Sequence, residues 1–147
     1  MILTTENMLA NWKQDVIIDE TQLQSEILKV PMLHSKYLEY YMYFCSLVSR
    51  SESAKNRMGH LKRDYYRGNS TEQTLKEYGW KQYQGLKLSL SELNQALEFD
   101  LDMIKLNQVV SDMKSAVKGS EYILGQLKNR EYSLKGIIEY QKYLTGN

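Results

Sequence analysis

A chain of 147 residues supplies about one domain, and with one proline and eight glycines it is too poor in chain-breaking residues for a loop-rich β protein or a disordered tail. No apolar run approaches the roughly 18 residues of a membrane span, the amino-terminal stretch has no basic signal region, and the lone Cys45 fits a reducing compartment, so neither anchoring nor export is expected. A net charge of +1 points to no partner, although the distribution of that charge does.

Thr4 or Thr5 caps a first short helix that carries Met8, Leu9 and Trp12 and ends near Asp15. The acid-bracketed DVIID, Asp15 to Asp19, reads as a short extended connector. Asp19 or Thr21 then starts a second helical pattern, in which Leu23, Ile27 and Val30 keep helical spacing up to Pro31. The amide donor missing from Pro31 predicts a kink or a restart there. From Pro31 the pattern runs to about Arg67, where Gly68-Asn69 is a stop. Ser70-x-x-Gln73 resembles a capping box for a helix over roughly 71–84, and Ser89-x-x-Glu92 is a better one.

From Leu90 onward Leu93, Leu97, Leu101, Ile104, Val110, Met113 and Val117 recur at three to four residues. The pattern resumes through Leu124, Leu127, Leu134, Ile138 and Tyr143, with Gly119, Gly125 and Gly136 as weak points. No stretch alternates with period two. The expected fold is therefore all-α: an elongated protomer of two long helices, kinked or broken, with shorter connecting helices. A single domain over 1–147 is expected, its 1–68 part carrying a basic segment and its 69–147 part serving oligomerisation. Apolar stripes that outlast their partners within the chain are completed by further copies, and the twelve tyrosines suit such subunit contacts.

Between Arg50 and Arg67 six Lys/Arg stand against two acids, a net +4, while the remainder of the chain is at −3. Glu92 to Asp112 has the opposite bias, five acids against Lys105. At about 100° per residue, with His60 at zero, Arg57, Arg63 and Arg67 lie within about 60° on either side and Arg50 near 80°. Leu47, Ala54, Met58, Leu61 and Tyr65 cluster at about 100–160°, with Lys55 and Lys62 beyond them. Such a stripe attracts a phosphate backbone, and Tyr66 is a candidate for stacking on bases. The same pattern also describes a solvated helical face, and Tyr65 occupies a core position.

Other chemistry has little support. His34 and His60 have no cysteine or carboxylate at metal-ligand spacing, so no metal or cofactor is expected. Cys45 lies in the apolar run YYMYFCSLV and reads as packed rather than nucleophilic. Asp100 and Asp102 point to different sides of one helix, as on a solvated face. Neither a catalytic constellation nor a phosphate-binding glycine loop is present in the sequence pattern.

KQDVIIDETQLQSE (Lys13 to Glu26), MLHSKYL (Met32 to Leu38) and RDYYRG (Arg63 to Gly68), in this order and spacing, resemble the UvsY-like recombination mediators of large tailed bacteriophages. The match runs from about Asn11 to Gly68; beyond Leu88 only the helical pattern is similar. The resemblance implies a non-catalytic helical protein that forms a closed homo-oligomeric ring, heptameric in the family, in the host-cell cytoplasm. Its partners would be single-stranded DNA, a RecA-like phage recombinase and the phage single-strand-binding protein, and its task would be to help the recombinase load on coated DNA in recombination, replication and repair.

In the family a lysine and an arginine just before the DYY motif bind DNA, and these positions fall on His60 and Lys62. Lys62 keeps the charge, whereas His60 is a weaker cation at neutral pH. The DNA-binding set expected here is Arg57, His60, Lys62, Arg63 and Arg67. His60 and Lys62 stand about 160° apart on the wheel, so one straight helix cannot aim both at one phosphate track. The alternative reading is an oligomeric helical adaptor that binds only proteins, its basic stripe docking on the Glu92–Asp112 face of another copy.

Overall fold

The computed structural model describes residues 3–146. Five helices follow one another: α1 (Thr5–Asp15), α2 (Leu23–Tyr66), α3 (Glu72–Tyr78), α4 (Leu90–Phe99) and α5 (Leu101–Thr145). The described residues contain no strand, and the all-α expectation of two long helices with shorter connecting ones holds. The chain divides into two compact units, one built from residues up to Ser46 together with those from Met113 on, the other from Leu47–Asp112.

In the first unit, Thr4 caps α1 by accepting the Asn7 amide at 3.1 Å. The connector after Asp15 is short and non-helical, but it turns on itself rather than staying extended, and α2 begins later than Asp19 or Thr21. The Asp19 carboxylate instead folds the connector on itself, accepting from the amide and hydroxyl of Thr21 at 2.9 and 2.6 Å. Gln22 then supplies the carbonyl that opens the helix, accepting from the Glu26 amide at 3.0 Å. α2 passes through Pro31 without restarting. Val30, Tyr37, Tyr40 and Phe44 are buried on one face of that helix, and such burial outweighs one absent backbone hydrogen bond.

On α5, Ala116, Ser120, Ile123, Leu127, Arg130 and Leu134 are buried. Their spacing alternates between three and four residues, a continuous seam along one side of the helix. This face carries α5 through Gly119, Gly125 and Gly136 without a break. Two of the three stretches that carry the family resemblance, Lys13 to Glu26 and Met32 to Leu38, meet within this unit. Asp15, at the end of α1, accepts from the Tyr37 hydroxyl at 2.7 Å and pairs with Lys36 at 2.8 Å. Burial, followed by that carboxylate, pushes the Tyr37 hydroxyl far above its ordinary pKa. Arg130 closes the same corner, donating to the carbonyls of Asp15 and Val16 at 2.9 and 2.8 Å and lying 5.5 Å from the Trp12 ring. The C-terminal carbonyls of α1 thereby gain partners they cannot find in their own helix.

The second unit holds the end of α2, α3, α4 and the start of α5. α2 stops where the sequence indicates. Gly68 takes φ 74°, and Gly68 N–H and Asn69 N–H return to the carbonyls of Tyr65 and Asp64 at 3.0 and 2.8 Å, a Schellman closure. α3 departs from expectation at both ends. Thr71, not Ser70, is its cap, accepting from the Thr74 amide at 3.1 Å, and the helix ends at Tyr78 rather than near residue 84. Gly79, at φ 67°, turns the chain out of the helix, and Trp80 N–H bonds back to the Leu75 carbonyl at 2.9 Å. Ser89 caps α4 as expected, accepting from Glu92 N–H at 3.2 Å.

The helical pattern that starts at Leu90 is interrupted at Asp100, which is extended at φ −67°, ψ 127°. Its carboxylate caps α5 by accepting the amides of Asp102 and Met103 at 3.0 and 3.1 Å. The break resets the helical phase. Met103 and Val110 turn inward, while Leu101 and Ile104, apolar positions of the uninterrupted pattern, are exposed.

Candidate nucleic-acid interface

The last turns of α2 present Arg57, His60, Arg63 and Arg67, all exposed and none holding an ion pair among the described residues. They occupy one stripe because 3-, 3- and 4-residue steps keep to one helical face. The opposite side of the helix is the packed one. Leu61, Tyr65, Met58, Ser51, Lys62, Lys55 and Tyr66 are buried or half-buried, an arc from about 100° to 240° on the same wheel. The core therefore lies opposite the basic stripe and is centred close to Lys62, whereas the apolar residues alone had placed it beside the stripe.

A groove of about 330 Å³ runs along the stripe, lined by His60, Arg63 and Asp64 of α2, by Arg67 just past its end, and by Leu90, Leu93 and Asn94 of α4. Leu93 is buried and seats α4 against the unit's core; Leu90 is exposed on the groove's wall. Three basic side chains on one wall, an amide and an apolar surface on the other, and the single carboxylate of Asp64 suit an extended anionic chain. The α4 wall had no signal in the sequence beyond the capping box that starts the helix.

Lys62 has a different environment. It is 6% exposed, and its ammonium lies 3.1 Å from the Asp100 carboxylate and 2.8 Å from that of Asp102. The Trp80 ring covers it, with the centroid 4.1 Å away, and Tyr65 lies 5.7 Å from it. Burial alone would lower the lysine's pKa, but hydrogen bonds to Asp102 and Asp100 outweigh it and hold the ammonium above its ordinary value. For Asp100, burial acts to raise the pKa, and the Tyr66 hydroxyl, the Met103 amide and Lys62 together hold it below the usual carboxylate range. Asp100 and Asp102 thus do not diverge as on a solvated face. The helix break between them turns both carboxylates toward one cation.

Tyr66 belongs to the same node. Its hydroxyl donates to Asp100 at 2.8 Å, and burial followed by that bond raises its pKa well above the ordinary tyrosine value. Its ring packs edge-on against Tyr65 and Tyr83, at 5.3 and 5.6 Å. Tyr65 in turn contacts Trp80 at 5.4 Å and Tyr83 at 5.8 Å. The acidic bias of Glu92–Asp112, read as a surface for another copy, is met in part by Lys62 of the same chain.

Elsewhere, no group of three or more His, Cys, Asp or Glu among the described residues could hold a metal ion. Cys45 is half-buried. No helix among the described residues is long and apolar enough to cross a membrane.

The sequence profile of the family described as "Recombination, repair and ssDNA binding protein UvsY" matches residues 11–147. The recombination protein uvsY of Enterobacteria phage T4 is 26% identical over 143 residues, covering 96% of this chain and 97% of that protein. Among solved structures, the bacteriophage T4 recombination mediator protein UvsY superposes with a TM-score of 0.78 in two crystal lattices, at 23% identity. The lattice type IV structure covers 95% of this chain and the type II structure 99%, each with 98% of the T4 chain. At that identity the superpositions establish a common fold.

Proposed function

This chain belongs to the UvsY family of recombination, repair and single-stranded-DNA-binding proteins, and from that premise we propose that it is a recombination mediator whose grip on DNA is the stripe Arg57, His60, Arg63 and Arg67. The observation that carries the assignment is the exposure of these four side chains on one face of α2, without ion partners among the described residues and beside an open groove. Phosphates of a single strand would follow the stripe, and the groove's α4 wall would keep the strand in register. Lys62 and Tyr66 serve the architecture that holds the stripe rather than the DNA itself.

The protein would act without catalysis, in the host-cell cytoplasm, as a closed ring of copies, seven on the reading the resemblance implies. Repeating a weak grip around a ring multiplies affinity while each contact stays reversible. A strand held this way loosens its single-strand-binding protein and offers a RecA-like phage recombinase an open segment on which to assemble.

Salt titration of oligonucleotide binding tests the grip. Each phosphate contact contributes about −0.7 to the slope of log K against log salt, so the three arginines give about −2 per protomer. Replacing Arg57, Arg63 and Arg67 by alanine is expected to flatten the slope by about 2 per protomer, and His60→Lys to steepen it by up to about 0.7. A wild-type slope in the triple variant would remove these residues from the interface.

A further inference from the structure

The segment KEYGWKQYQGLK, Lys76 to Lys87, interleaves three lysines with three aromatic rings, and the grip proposed above leaves it unused. α3 ends at Tyr78, and the left-handed turn at Gly79 brings Trp80 back onto it. The two rings stack with centroids 4.8 Å apart and planes 20° from parallel. Trp80 is anchored from within by the Lys62 ammonium and by Tyr65. Tyr78 makes no further ring contact among the described residues and is 39% exposed. The stack therefore has a fixed ring and an open one.

We propose that the open face of Tyr78 is a stacking platform for a base of single-stranded DNA. Lys76, Lys81 and Lys87 are exposed and hold no ion pair among the described residues, and within Lys76–Lys87 only Glu77 opposes them. A flat ring backed by a second ring offers a base the offset stacking that aromatic systems prefer, and flanking ammonium groups suit the adjoining phosphates. Duplex DNA keeps its bases stacked on one another, so the platform selects a single strand. It is tied to the helix that carries the proposed grip through Tyr65 and Tyr66, whose rings contact Trp80 and Tyr83 on the side of α2 opposite the stripe. The inference rests on the reading that the chain binds single-stranded DNA; it adds base contact to backbone contact.

The test compares a fluorescent oligo-dT with an abasic deoxyribose-phosphate chain of equal length and charge, on the full-length protein at one salt concentration. Wild type is expected to favour oligo-dT by about tenfold or more. Tyr78→Ala should lose that preference with abasic binding unchanged, and Tyr78→Phe should keep it. A preference that survives Tyr78→Ala, an equal loss on both ligands, or a change in oligomeric state without DNA would overturn the platform, the last marking Tyr78 as a subunit contact. An Arg63→Ala/Arg67→Ala variant separates the two assignments. Unchanged abasic binding in it, beside a Tyr78-dependent preference, upholds the platform and overturns the grip. Photocrosslinking wild type to a 5-iodouracil oligonucleotide gives a check without substitution: an adduct on Tyr78 supports the platform, and adducts confined to other residues overturn it.

Discussion

Two neighbours in sequence, Lys62 and Arg63, carry the same charge and do different work. Arg63 extends into solvent beside the groove, whereas Lys62 lies beneath Trp80 between two carboxylates. Removing Lys62 leaves Asp100 charged and buried, with hydrogen bonds from Tyr66 and two backbone amides but no cation. Breaking such a pair by deleting one partner costs about 3–5 kcal/mol; the half-exposed Asp102 arm adds little because water screens it. Lys62→Ala is therefore expected to lower unfolding free energy by about 3 kcal/mol, and Arg63→Ala by no more than about 0.5. Urea denaturation followed by circular dichroism measures both. Equal stability in the two variants would contradict the role given to Lys62. A loss of DNA binding in Lys62→Ala accordingly needs a stability measurement beside it before it is read as a lost phosphate contact.

At the scale of elements, the break at Asp100 organises the second unit. One residue stops α4, caps α5 with its carboxylate and receives Lys62 and Tyr66 from α2. This concentration of roles makes the unit sensitive to acid in a definite direction. Asp100 has a folded-state pKa below its unfolded value of about 3.9, so the stability it adds is complete above pH ~4 and is lost as pH falls through the lower folded value. Lys62 behaves oppositely. Its folded-state pKa lies above about 10.4, so its contribution is complete below that pH and disappears as pH rises through the higher value. Urea midpoints are thus expected to be insensitive to this pair between about pH 4 and 10. Below that window wild type should lose stability more steeply than Asp100→Asn, which has no carboxylate to protonate. Parallel acid limbs in the two proteins would show that Asp100 is not the titrating group.

At the scale of the whole molecule, the last turns of α5 expose Ile137, Tyr140, Tyr143 and Leu144. A helix end with that much apolar surface calls for a partner, and the proposed ring supplies one in the form of further copies. Tyr140→Ser/Leu144→Ser is expected to shift native mass spectra toward the monomer while far-ultraviolet circular dichroism stays helical. Because a ring multiplies weak contacts, the same variant should lose roughly 10²-fold or more in affinity for a long single strand. An intact assembly in this variant would move the subunit contact to another surface.

Local order in this chain is written in its local sequence. Thr4 and Ser89 as caps, Gly68 as a stop and the three-to-four-residue recurrence of apolar side chains all follow from interactions that reach no further than one or two turns. The concentration of positive charge before Gly68 is likewise a property of the chain itself, and so are the stretches that identify the family. Phase and exposure were decided elsewhere. A residue's neighbours on its own helix could not show that α4 breaks from α5 at Asp100, that Leu101 and Ile104 consequently face outward, or that Gly79 ends α3 early and returns Trp80 to α2. Those events determine which cation reaches solvent. Lys62 differs from Arg63 because side chains distant in sequence close over one face of α2 and leave the other open, and burial is a property of the packed unit rather than of any segment in it.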